Sequence, residues 1–425
     1  MCFSFFRGHS IRNLTLSHWV TFLSAAFFAT LTVTPNSYSF AAITLSLLAI
    51  VMVAKTWRVY LVNSDIRLIT FALCGYFLVY ALEMVVYQQP FSTIDMPSRA
   101  LLAALALGLL YRYPPRLNTI MVAIAVGSIA SGIIAIYFSV GLNRRAFLGF
   151  GYMVIQIGGI CAWLGTLSLI SFLHYVHEKK THYAIICGCG AAFALLATLL
   201  SGARGAWLLT PFIMVLSLWA YRHCLNKKKL MIALCAIFAI SFMAYPQIKT
   251  RVDLVIQDLA QYANNKTNTS SGYRLEMWKS ALHTGIEHPL FGVGHDGVPA
   301  EKQKQIEQGL VTRGVLKFKR AHNQYLEELQ TKGLIGVAVL FALFLVPLRF
   351  FYRKLRVGCQ VESSQLKAVS IMGCMHILMV MGFSLTQHYL AHHSGILVFS
   401  FGLVILAALA IRLEEKSQLN KQEAL

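Results

Sequence analysis

Apolar runs separated by short polar breaks fill the chain up to residue 246, and a long polar interval, 247–332, precedes the return of apolar sequence. Runs close to 20 residues, the length that crosses a bilayer as helix, fall at 17–34, 39–54, 68–87, 99–111, 119–140, 150–173, 183–201, 205–221, 230–246, 333–352, 367–386 and 394–411. About twelve transmembrane helices are therefore expected, the fourth short for a full crossing. Turn signals such as Pro35-Asn36, Tyr113-Pro114-Pro115 and Gly141 stand between them. The expected organisation is a membrane domain of nine helices over 1–246, a partly helical loop over 247–332, three further helices over 333–411 and a tail over 412–425. Composition agrees: 57% of residues are hydrophobic and 13% charged, against roughly 25% charged in soluble domains. The fold class is an all-α polytopic membrane protein.

Charge adds orientation. The net charge is +20, but the basic residues sit in short breaks between apolar runs, which points to membrane topology and away from nucleic acid. With the N-terminus in the cytoplasm, the inside segments hold 21 Lys and Arg and the short outside segments 4. Both termini are thus expected inside and the long loop outside. The nine cysteines fall in or beside apolar runs with no disulfide or metal spacing, and Cys187-Gly-Cys189 reads as helix packing. The first apolar run, with no clear cleavage site after Arg7 and Arg12, is expected to be a retained span.

The four outside arginines, Arg99, Arg144, Arg145 and Arg204, break a strong rule. Each is a candidate for anion binding, although snorkelling to lipid headgroups accounts equally well for any one alone. In Ser201-Gly-Ala-Arg204-Gly the chain must turn tightly between two spans, leaving Arg204 at the N-terminus of the next helix. Free N–H groups, the helix dipole and a planar guanidinium together make a phosphate site there. Asn143-Arg144-Arg145 offers two adjacent arginines on another turn, suited to a diphosphate or to headgroups.

Within the loop, Gly272-Tyr-Arg274-Leu begins an amphipathic helix with Leu275, Trp278 and Leu282 on one face. Arg274 lies in its first turn, where the dipole disfavours a cation unless an anion is its target. After the Gly-rich stretch ending at Gly297 come a polar helix and Arg320-Ala-His322-Asn323-Gln-Tyr325. His322 is expected to open a helix ending at Gly333, sharing a face with Tyr325 and standing at the membrane surface. Histidine is the natural general base near neutral pH. His388, His392 and His393 occupy the last outside turn without a zinc-type spacing. Glu83, near the outer end of the third span, is either functional or paired with an outside arginine.

In span order and loop placement the chain resembles the O-antigen ligase family, within the group that also holds O-antigen polymerases and protein O-oligosaccharyltransferases. The resemblance is most specific at Ser201-Gly-Ala-Arg204, at Gly272-Tyr-Arg274-Leu, and at His322-Asn323 with Glu327 and Lys332-Gly333-Leu-Ile-Gly336. It implies a glycosyltransferase-C-like fold in the bacterial inner membrane, its active site facing the periplasm. The implied reaction moves a preassembled polysaccharide from undecaprenyl diphosphate to lipid A–core, with no nucleotide sugar, cofactor or metal. It also implies His322 as base and Arg204 and Arg274 on the diphosphate, less securely Arg145 and, by adjacency, Arg144. Asn323, Tyr325 and Glu83 are expected to support the site. A transporter is the reading from another class, but transporters carry paired halves or interrupted helices with polar groups at mid-membrane, whereas the unusual charges here gather on one side.

Overall fold

The computed structural model describes residues 11–151, 153–222, 245–264 and 267–423, and among these it is helical throughout, with no strand. Among the described residues fifteen α-helices follow one another: α1 (Ile11–Thr30), α2 (Ser37–Val51), α3 (Val53–Val62), α4 (Ser64–Val86), α5 (Ser98–Arg112), α6 (Leu117–Ile136), α7 (Val154–His177), α8 (Thr181–Ser201), α9 (Arg204–Ala220), α10 (Tyr245–Ala263), α11 (Ser270–Glu287), α12 (Gly294–Glu307), α13 (Gln324–Gln360), α14 (Ser364–Ser384) and α15 (His393–Glu423). Seven of them, α4, α6, α7, α8, α13, α14 and α15, are long and apolar enough to cross a membrane, or eight spans if α2 and α3 count as one. The protein is a polytopic membrane protein. Of the other expected spans, 17–34 falls on the 20-residue α1, 99–111 on the 15-residue α5, and 205–221 on the 17-residue α9. The expected span 230–246 lies almost wholly outside the described residues.

The expected second span is bent. Between Val51 and Val53 the chain turns by 87°, so α3 runs at right angles to α2. Lys55 and Arg58 alternate there with Trp57, Leu61 and Val62, the mixture of a helix lying in a membrane interface. Of the apolar stretch of α15, 89% is buried within the protein, against 33% for α4. A helix apolar on every side belongs at the centre of a bundle, and α15 sits there, packed on α5, α14 and α13. A peripheral helix such as α4 leaves Leu68, Phe71, Leu78, Leu82 and Val85 to face outward.

The two ends of the bundle carry different chemistry. At one end, the start of α4 meets the later parts of α13 and α15: Lys354 pairs with Asp65 at 2.6 Å and also with Glu414, and Arg353 joins Asp65. A cavity of about 1100 Å³ opens there, lined among others by Tyr111, Arg116, Arg412 and Lys416. The opposite end holds the end of α4, the start of α13 and the turn between α14 and α15. That end receives α11 and α12, and with them every described loop residue that the sequence nominates for chemistry.

Candidate active site

The last loop segment and the start of α13 are folded around a single strained residue. His322 has φ +52°, the left-handed region that a non-glycine residue enters at a cost of roughly 1–2 kcal/mol. Such a conformation persists only where its surroundings impose it. Here they do. The N–H of Ala321 donates to Glu327 Oε2 at 2.8 Å and its C=O accepts from Trp278 Nε1 at 3.0 Å. On the other side, Asn323 caps α13, its Oδ1 accepting from the N–H groups of Tyr325 and Leu326 at 3.0 and 3.2 Å. His322 is clamped from both sides.

Two expectations change as a result. His322 does not open the helix; α13 begins at Gln324, and its first segment stops where expected, at Gly333, whose φ +62° and ψ −156° are non-helical, before helix resumes to Gln360. Nor does His322 share a helix face with Tyr325. The tyrosine hydroxyl donates to the C=O of Met381 at 2.9 Å and its ring packs against Phe341 and Phe344, which makes it an anchor of α13 on α14.

The imidazole of His322 is half-buried, between the edge of Phe318 (centroids 5.9 Å apart) and the ring of His388 (5.2 Å). Burial holds it below the ordinary histidine value, and the positive charge of Arg274 lowers it further. Glu327 pulls in the opposite direction and Lys302 adds to the lowering. A histidine that is neutral near pH 7 beside a cation is available as a base. Arg274, one turn inside α11, is thereby brought into the electrostatic field of His322.

Beneath this lies a buried ionic chain that the sequence did not disclose. Glu83, 3% exposed, was expected either to act or to pair with an outside arginine; its partners are His295 and Lys332. Its Oε1 accepts from the backbone N–H of His295 at 2.9 Å and meets His295 Nδ1 at 2.6 Å, while its Oε2 lies 3.2 Å from Lys332 Nζ. Lys332 also contacts Glu328 Oε2 at 3.0 Å and donates to Thr331 Oγ1 at 2.9 Å. Glu328 Oε1 accepts from Tyr80 at 2.6 Å and from Gln324 Nε2 at 2.8 Å. Gln324 Oε1 accepts from the backbone N–H of Leu390 at 3.1 Å, two residues past His388. One connected network thus joins α4, α12, the start of α13 and the turn before α15.

The arginine turns lie on other elements. Gly202 has φ +63° and ends α8, so the chain reverses within three residues and Arg204 opens α9, as its spacing predicts. The side chain of Arg204 lies outside the described residues. Arg145 is drawn to this turn, donating through Nε to the C=O of Ser201 and through Nη2 to that of Gly202 at 3.0 Å. It therefore caps the end of α8, where a cation suits the helix dipole. Arg144 stands exposed beside it. Arg99 pairs with Asp95 at 3.0 Å, which accounts for one outside arginine locally.

Sequence reasoning passed over His388 and His392 because it tested the last turn only for metal spacing. In the structure their rings stack at 5.1 Å beside His322, while His393 turns toward Tyr38. The 1100 Å³ cavity, at the other end of the bundle, takes no part.

A family model described as O-antigen ligase matches residues 189–341, an interval that contains Arg204, Arg274 and His322. An uncharacterized protein of Haemophilus influenzae is 30% identical over 393 residues, covering 91% of this chain and 96% of that protein. The chain belongs to the O-antigen ligase family. An O-antigen ligase of Escherichia coli is 27% identical over 201 residues, 45% of this chain and 47% of that ligase. Membership of this family implies a glycosyltransferase-like enzyme that brings together a polysaccharide donor and an acceptor in lipopolysaccharide assembly. Glu83, His388 and His392 lie outside the matched interval, so the family model alone would not have drawn attention to them.

Proposed function

We propose that this O-antigen ligase family member transfers a preassembled polysaccharide from undecaprenyl diphosphate to a sugar hydroxyl of lipid A–core, at the periplasmic face of the bacterial inner membrane. The observation that carries the reading is His322: strained, clamped on both sides, and kept from protonation by burial and by Arg274. In this reading residues 1–246 and 333–411 form the membrane domain, 247–332 form a periplasmic lid, and both termini lie in the cytoplasm.

The chemistry follows from the groups present. A ring nitrogen of His322 takes the proton of the acceptor hydroxyl as its oxygen attacks the anomeric carbon. The bond from that carbon to the diphosphate oxygen breaks, and the electron pair leaves on the phosphate. Base assistance of this kind contributes about 10²–10⁴-fold. The departing charge is met by fixed guanidinium groups, Arg274 and Arg204, with Arg145 holding the turn and Arg144 beside it. A single displacement inverts the anomeric centre, and arginines supply the charge that a metal supplies in other transferases. Both lipid-linked substrates reach such a site from within the outer leaflet, and no cofactor or nucleotide sugar is needed.

The test is made in a strain lacking the gene and complemented with the His322→Ala variant. Loss of polysaccharide on lipid A–core, with undecaprenyl-linked polymer accumulating, is the expected result. Normal polysaccharide on lipid A–core would refute the assignment of the base. If the deletion strain instead lacks undecaprenyl-linked polymer, the protein is a polymerase.

A further inference from the structure

His322 makes no hydrogen bond through either ring nitrogen among the described residues. A histidine that gains a proton during a reaction needs an acceptor on its second nitrogen, which fixes its orientation and stabilises the imidazolium. The carboxylates nearby are committed elsewhere. Glu327 Oε2 holds Ala321 and Gln330, and its Oε1 faces His295 Nε2 at 3.8 Å. Glu328 and Glu83 are taken up by Tyr80, Gln324, Lys332 and His295.

His388 is not committed in this way. Its ring lies 5.2 Å from that of His322 at 69°, it is only 7% exposed, and its Nδ1 is buried without a hydrogen-bond partner. We propose that His388 is the positioning partner of His322, its Nδ1 lone pair accepting the hydrogen bond from the imidazolium N–H that forms as His322 takes the acceptor's proton. The proposal rests on His322 being the base.

Three features support it. The Gln324–Leu390 hydrogen bond ties the turn carrying His388 to the first residue of α13, so both rings are registered by the same helix start. His392 stacks on His388, with ring centroids 5.1 Å apart, and steadies its plane. The charges that face the pair are mostly positive: Arg320 acts on His388, beside the rings of His392 and His295, while Arg274 and Lys302 act on His322 against Glu327. A carboxylate in the place of His388 would form ion pairs with these arginines and draw them from an anionic substrate. A neutral imidazole accepts a hydrogen bond without doing so. Burial and Arg320 hold His388 far below the ordinary histidine value, which keeps its lone pair free.

The experiment uses the full-length protein in proteoliposomes with undecaprenyl-diphosphate-linked glycan and lipid A–core, comparing kcat and KM for wild type, H322A, H388F and H388N. H388F keeps a ring but removes the lone pair; kcat is expected to fall about tenfold or more while both KM values hold within about twofold. Its acid limb should move to lower pH, because an imidazolium without its acceptor is easier to deprotonate. H388N returns a polar atom near the position of Nδ1 and is expected to recover most of the lost kcat. Wild-type kcat in H388F, or equal losses in H388F and H388N, would overturn the proposal. If H388F does not fold, H388A with added imidazole decides: recovery of turnover is expected, and its absence counts against the partnership. Activity in H322A would sink the base itself, whereas an inactive H322A beside a fully active H388F would sink only His388.

Discussion

Lys332 is the keystone of the buried network, and its removal tests how the site is held. Its ammonium faces three oxygens, Glu83 Oε2 at 3.2 Å and Glu328 Oε2 at 3.0 Å as ion pairs and Thr331 Oγ1 at 2.9 Å as a hydrogen bond, and it lies 3.9 Å from the Tyr80 ring centroid. Lys332, Glu83 and Glu328 are at most 3% exposed. In Lys332→Met the side chain still fills the space, but two buried carboxylates lose their cation together. Breaking a buried pair by removing one partner costs about 3–5 kcal/mol, because the other charge is left uncompensated. With Glu328 left without a cation and Glu83 left to His295 alone, a cost within that range is expected. Adding Glu328→Gln to Lys332→Met removes one stranded charge, and the double variant should recover about 0.5–3 kcal/mol relative to additivity. Equilibrium unfolding in mixed micelles, as the SDS fraction rises, measures both quantities, with the ligation assay run in parallel. A Lys332→Met variant within about 0.5 kcal/mol of wild type, the range of an ordinary surface change, would refute the reasoning. So would strict additivity of the pair.

Two further expectations concern single residues. Arg274→Gln removes the charge that lowers His322, so the acid limb of kcat/KM should move to higher pH, whatever happens to the plateau; an unmoved limb would separate Arg274 from the base. Gly333 has φ +62°, and a Cβ there would lie 2.4 Å from the C atom of Leu290. Gly333→Ala should therefore unseat the 289–291 segment and cost well over the roughly 1–3 kcal/mol of the backbone conformation alone, readable in the same unfolding measurement.

The helices were legible because period and length report burial in lipid directly, and the turn before Arg204 was legible because only a few residue types reverse a chain so sharply. The loop was harder. In α11 the apolar positions Leu275, Trp278 and Leu282 suggested the covered face, yet Leu282 is 46% exposed and the covered stripe runs through Glu276, Met277, Ser280, Ala281 and Thr284. That stripe is joined by hydrogen bonds, Tyr262 to Glu276 and Ser280 to Gln305, so hydropathy could not mark it. Glu83 shows the same limit, since its partners His295 and Lys332 lie more than 200 residues along the chain. His388 escaped because a histidine turn was weighed only as a metal ligand set.

The joint at Gly333 sets a length. Residues 324–332 form a rigid piece about 13 Å long at 1.5 Å per residue, and beyond the single non-helical residue the same helix continues to Gln360. No flexible coil separates His322 from the bundle, so this histidine rides on a short strut with one elbow. Under the proposed function, the reacting sugar hydroxyl would be chosen by height: the one that comes level with the end of the strut when its lipid sits in the leaflet. Lengthening the strut by one helical turn would lift that plane by about 5 Å, roughly one sugar unit further along the acceptor.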